Sequence, residues 1–82
     1  MKNLNRIESN KTFGWFARTY YQGLEISCLF SDKKYISNSA ALQRAEGLLE
    51  DWEAWTEVCK ANGTDRYTWH DRAVVLKKLA KT

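Results

Sequence analysis

The sequence predicts an α+β fold: a three-stranded antiparallel sheet packed on one long helix, with a second helix at the C-terminus. Three observations carry this prediction. Residues 14–32, GWFARTYYQGLEISCLFSD, read as two strands around a tight turn. An amphipathic pattern with no breaker except Gly47 then runs from Ala40 to Ala61. The chain is 82 residues long and 44% hydrophobic, with four Trp, four Tyr and three Phe but no Pro, a composition suited to one small ordered core rather than to disorder. A single domain spanning residues 1–82 is expected, with the sheet over 4–32, the long helix over 39–61 and the C-terminal helix over 68–80.

Residues 4–9 form a short first strand, in which Leu4 and Ile7 are apolar without strict period two. Ser9-Asn10-Lys11-Thr12 is polar and turn-rich, and suits a loop. From Trp15 to Gln22 the β-formers are dense. The turn Tyr21-Gln22-Gly23-Leu24 closes a hairpin, with Gly23 supplying the positive φ that a two-residue connection requires. Leu24 to Phe30 is the third strand. Period two sorts the second strand into Trp15, Ala17, Thr19 and Tyr21 on one face and Phe16, Arg18, Tyr20 and Gln22 on the other. Both faces carry aromatics. The small Ala17 marks the first as the face a helix can approach closely, which leaves Arg18 on the open face. The third strand does not resolve its own faces.

Residues 31–39 read as loop, and Asn38 or Ser39 can cap the helix that follows. Leu42, Ala45, Leu49, Trp52, Trp55 and Cys59 recur at steps of three and four, which defines a buried stripe. Asn62-Gly63 ends this helix. The second helix is expected from about Trp69 to Ala80, with Thr68 and Asp71 at capping-box spacing. Val75, Leu76 and Leu79 form its apolar side, and His70 is a surface or capping residue. Its packing position stays open between two sites, against the first helix or across the sheet.

The net charge of +3 conceals a pattern. Residues 1–41 carry net +3, residues 42–59 net −4 and residues 60–82 net +4. A solvated helix face accounts for the acidic block; a sharper reading turns that helix away from a polyanion that the basic segments face. Cys28 and Cys59 are far apart and join a single His, too few ligands for a metal cluster of ordinary spacing. They read as small buried or half-buried thiols of a reducing cytosol. No apolar run approaches a membrane span, and MKNLNRIESNK lacks a signal-peptide core, so a cytoplasmic protein without membrane contact is expected. No phosphate-binding glycine loop and no acid–base pair at telling spacing occurs, so neither catalysis nor a cofactor is expected.

The residues Arg6-Ile7, Gly14-Trp15-Phe16-Ala17-Arg18, Gly23, Phe30-Ser31-Asp32 and Ala40-Ala41-Leu42…Ala45, leading to Trp52, stand in an order and spacing that matter together. In that order they resemble the Apetala-two/ethylene-response-factor type DNA-binding domain, above all its small bacterial and phage members, which often accompany mobile elements. The likeness covers residues 4–55. It implies three strands on one helix, with the open sheet face laid into the major groove of double-stranded DNA, a groove wide enough to admit strands. Carried over, that face presents Arg6 and Glu8 from the first strand and Phe16, Arg18 and Tyr20 from the second. Arg18 is the candidate for a base-edge or phosphate contact, Phe16 and Tyr20 for thymine methyls or sugars, and Lys11, Lys33 and Lys34 for phosphates. Where family members usually place cations on the third strand, this chain has Leu24, Glu25, Ile26, Ser27 and Cys28. That departure supports an alternative: a protein-interaction module of the same fold that dimerises or docks through an apolar sheet face.

Overall fold

The computed structural model describes residues 3–9 and 11–81. The element order is β1 (Leu4–Glu8), β2 (Phe13–Tyr21), β3 (Leu24–Ser31), α1 (Asn38–Asn62) and α2 (Arg66–Ala80). The three strands form one antiparallel sheet in the order β1-β2-β3, so the α+β architecture read from the sequence is the architecture observed. Gln22 and Gly23 both have positive φ, 51° and 82°, as a type I′ hairpin turn requires.

Register fixes the faces. Ala17 pairs with Cys28 and Thr19 with Ile26, and all four are buried beneath the helices. Tyr21, on the same face, donates its hydroxyl to the Thr64 carbonyl at 2.7 Å and so latches the end of β2 to the turn between the helices. Trp15 donates its indole N–H to the Asn38 side chain at 2.7 Å, which holds the start of α1 over the sheet. Asn38 is therefore a sheet contact. The N-cap is Ser37, one residue before the expected choices; its backbone is extended and its hydroxyl accepts from the Ala40 N–H at 3.1 Å. Gly63 closes α1 in the left-handed conformation, as its sequence position predicts.

The buried side of α1 comprises Ala41, Ala45, Leu48, Leu49, Trp52, Thr56 and Cys59, with Trp55 half-buried. This arc is wider than the predicted stripe because the helix serves two neighbours, the sheet and α2. The second helix starts a turn earlier than its Thr68–Asp71 spacing suggested. Asp65 is the cap: its carboxylate accepts from the Thr68 N–H at 2.8 Å and from the Thr68 hydroxyl at 3.1 Å. Asp caps better than Thr, so the earlier of two competing signals prevails. The apolar side also differs from expectation. Trp69 and Ala73 are buried, with Val74, Leu76 and Ala80 packed beside them, while Val75 and Leu79 are exposed. Trp69, Ala73, Leu76 and Ala80 share one helical stripe.

Indole donors join the two helices. Trp52 donates to the Ala73 carbonyl at 3.0 Å and Trp55 to the Trp69 carbonyl at 2.9 Å. Trp69 donates to the Thr56 hydroxyl at 2.9 Å, which donates in turn to the Trp52 carbonyl at 2.7 Å. Thus α2 packs against α1 and the β3 side, not across the sheet, and the opposite sheet face is free. Cys28 and Cys59 are both buried free thiols, and burial pushes both above the ordinary thiol range. Among the described residues no helix is long and apolar enough to cross a membrane.

Candidate nucleic-acid interface

The uncovered face follows from the pairing. Phe16 stands between Asn5 and Leu29, Arg18 opposite Ser27, and Tyr20 opposite Glu25, while Gly14 lies between Ile7 and Ser31. Cross-strand partners share a face, so these residues form one surface. Of the predicted contacts, Phe16, Arg18 and Tyr20 are therefore together, with Tyr20 54% exposed. Arg18 Nε lies 4.0 Å from Glu25 Oε1; the Arg18 and Glu25 side chains are both partly exposed. That nitrogen is sealed from solvent yet makes no hydrogen bond. An exposed pair at this separation contributes little, so a stronger acceptor can displace Glu25.

Lys11 and Lys33 are exposed and flank one end of the face. With Thr12, Phe13, Leu29, Ser31 and Asp32 they line an open groove of about 510 Å³. Lys34, beside them, places its ammonium 5.7 Å from the centre of the Tyr35 ring.

Arg6 and Glu8 occupy the other face, contrary to the sequence-based placement. Arg6 pairs with Trp15 and Glu8 with Phe13, and Trp15 belongs to the helix-covered side. The Arg6 guanidinium lies 5.5 Å from the Trp15 ring centre and reaches past it to Asp32, with Nη1–Oδ1 at 2.8 Å and Nη2–Oδ2 at 2.6 Å. Its Nε bonds Glu8 at 3.2 Å. This bidentate clasp ties the edge strand β1 to the end of β3 across β2. Leu4 shares the parity of Arg6 and packs on the core, which sets Arg6 on the helix side. Asn5, Ile7, Ser27, Leu29 and Ser31, none of them assigned to a face from sequence, complete the open face. Register sets them there: Ser27, Leu29 and Ser31 lie opposite Arg18, Phe16 and Gly14, and Asn5 and Ile7 lie opposite Phe16 and Gly14.

The clasp predicts a pH effect. Hydrogen bonding from Arg6 holds the Asp32 carboxyl below its ordinary 3.8, against an opposing push from partial desolvation. A carboxyl depressed by folding stabilises while ionised; that contribution is complete above the ordinary range and is lost as pH falls from 3.8 through the folded value. Asp32→Asn should lower the urea midpoint near neutrality, and its deficit should shrink as pH falls toward about 2.5. A deficit constant over that range would rule out the clasp as the cause.

Comparison with protein-family models, with curated proteins and with solved structures found no match.

Proposed function

We propose that this chain is a small DNA-binding domain that lays the open face of its sheet in the major groove, as its resemblance to the Apetala-two type implies. One observation carries the reading: both helices lie on the same side of the sheet, which leaves Phe16, Arg18 and Tyr20 uncovered. Three strands at about 4.8 Å spacing measure roughly 10 Å across, within the roughly 12 Å major groove. Arg18 takes a guanine edge or a phosphate in place of Glu25. Phe16 and Tyr20 contact thymine methyls or sugars, and Lys11, Lys33 and Lys34 hold phosphates at one end. The role is binding rather than catalysis, in the cytoplasm, within transcription or mobile-element biology.

Fluorescence anisotropy with duplex DNA at about 50 mM salt should show binding that weakens as salt rises. Arg18→Ala should cost about 1–3 kcal/mol and relax sequence preference. Unaltered affinity in that variant removes Arg18 from the site, and absence of any binding at low salt rejects the reading.

A second reading is favoured by the pairing of Arg18 with Glu25, which leaves the centre of the face near neutral beside Phe16 and Leu29. Such a face suits a homodimer or a protein partner. Sedimentation separates the two: concentration-dependent dimers without DNA affinity support docking, and a monomer that binds duplex supports the first reading.

A further inference from the structure

The charges that the sheet face does not use gather along the β3 edge. Arg66, the first residue of α2, donates to the Gln22 carbonyl at the hairpin turn at 3.4 Å. The last turns of α2 bring Lys77 and Lys81, together with Lys34, near enough to Cys28 in β3 to oppose the upward push that burial gives its thiol. The helix thus runs alongside β3 from the turn to the loop before α1. His70, Lys77 and Lys81 lie one position beyond Trp69, Leu76 and Ala80 of the buried stripe, with apolar Val74 between them, and Arg66 lies a turn before His70 on the same side. Arg44 of α1 reaches the same end. It donates to the Ala80 carbonyl at 3.5 Å, and its guanidinium carbon stands 5.7 Å from the centre of the Tyr35 ring that Lys34 also approaches.

None of Lys34, Arg44, Lys77 and Lys81 forms an ion pair among the described residues. The nearby Asp32 is held by Arg6, and Asp51 is the acid lining the groove between Arg44 and Ala80. The opposite sheet edge differs: its one strand cation, Arg6, is neutralised by Asp32 and Glu8. Like charges gathered without an acidic partner raise one another's energy, and a polyanion relieves that repulsion.

We infer that this stripe is a phosphate-backbone track, in which Arg66, Lys77, Lys81 and Lys34 contact the DNA strand that borders the β3 edge when the sheet face occupies the major groove. The inference rests on the sheet-face reading and extends it to a helix outside the family likeness. From Arg66 to Lys81 the helix advances about 22 Å at ~1.5 Å per residue. That length matches about six phosphates of one strand at ~3.4 Å axial spacing. Contact is one-sided, because the β1 edge offers no unpaired cation from its strand.

The test is a salt titration of duplex binding by the full chain, read by anisotropy, with far-UV circular dichroism confirming that each variant keeps its fold. Lys77→Gln/Lys81→Gln should flatten the slope of log K against log salt by about 1.8 and weaken binding roughly tenfold or more near 0.1 M, equally on all sequences. Lys77→Arg/Lys81→Arg should keep the wild-type slope. Lys60→Gln/Arg72→Gln, which removes the same charge elsewhere, should also keep it. A wild-type slope in the Lys77→Gln/Lys81→Gln protein, or equal flattening in the Lys60→Gln/Arg72→Gln control, overturns the track while an effect of Arg18→Ala preserves the sheet-face reading. Slope loss at the α2 lysines with Arg18→Ala and Phe16→Ala both inert rejects the face and, with it, the track as a flank of the major groove. No duplex binding at all overturns both.

Discussion

Trp69→Ala should lower the free energy of unfolding by about 3–5 kcal/mol, the usual cost of emptying a large aromatic site. A domain of this size has roughly 5–10 kcal/mol in total, so the variant should lose a large share of its stability. Trp69 is fully buried, and its ring centre lies 5.6 Å from that of Tyr21, the residue that latches β2 to the helix turn. Its indole N–H also feeds the Thr56 hydroxyl, which passes a hydrogen bond to the Trp52 carbonyl. A fifteen-residue helix is marginal in isolation, so α2 depends on this anchor for its place and largely for its helicity. Thr56→Val separates packing from hydrogen bonding. It keeps the volume but strands the Trp69 donor, at about 1–3 kcal/mol. Urea denaturation followed by circular dichroism and by Trp fluorescence measures both variants. A loss below about 1 kcal/mol for Trp69→Ala would mean that α2 is not part of the cooperative core.

The same residue shows where the sequence was legible and where it was not. The hairpin was readable because its signal is local: Gly23 permits the turn, and Ala17 marks the side a helix can approach. The stripe on α1 was readable, apart from Leu42, because one periodicity persists over about five turns. Trp69 was not placed in the core because it sits four residues after its true cap. The Thr68–Asp71 pair offers a competing start, and nothing local ranks Asp65 above it except cap strength. Arg6 failed for a different reason. Register between β1 and β2 is a long-range property, and a strand with apolar residues at Leu4 and Ile7 satisfies either parity. Moving Arg6 to the helix side subtracts a cation from the proposed face, and Glu25 offsets Arg18 there. Cations at Lys11, Lys33 and Lys34 remain at one end, with the α2 stripe along one edge. The candidate site is therefore asymmetric in a way the strand sequences alone do not show.

Gly14→Ala should destabilise the domain by about 3 kcal/mol or more, whereas Gly47→Ala should stabilise it by roughly 0.5–1 kcal/mol. The two glycines differ in what a methyl group meets. At Gly14 an added Cβ would stand 2.5 Å from the Phe30 carbonyl oxygen and 3.1 Å from both the Phe30 carbonyl carbon and the Ser31 Cα. All three are backbone atoms, so no rotamer change relieves the contact; β2 and β3 must part. They would part beside the Asp32 N–H bond to the Phe13 carbonyl at 2.8 Å, where the Arg6–Asp32 clasp also closes. Strand separation there should therefore loosen β1 as well, and Gly14→Ala should reduce the additional effect of Asp32→Asn, a non-additivity above about 0.5 kcal/mol in a double-mutant cycle. At Gly47, in the exposed middle of α1, nothing lies within 4 Å of an added Cβ, and Ala only limits the freedom of the unfolded chain. Chemical denaturation of the two variants side by side tests the contrast. Equal effects would show that the glycine of the Gly14-Trp15-Phe16-Ala17-Arg18 segment is not required by close approach of the strands.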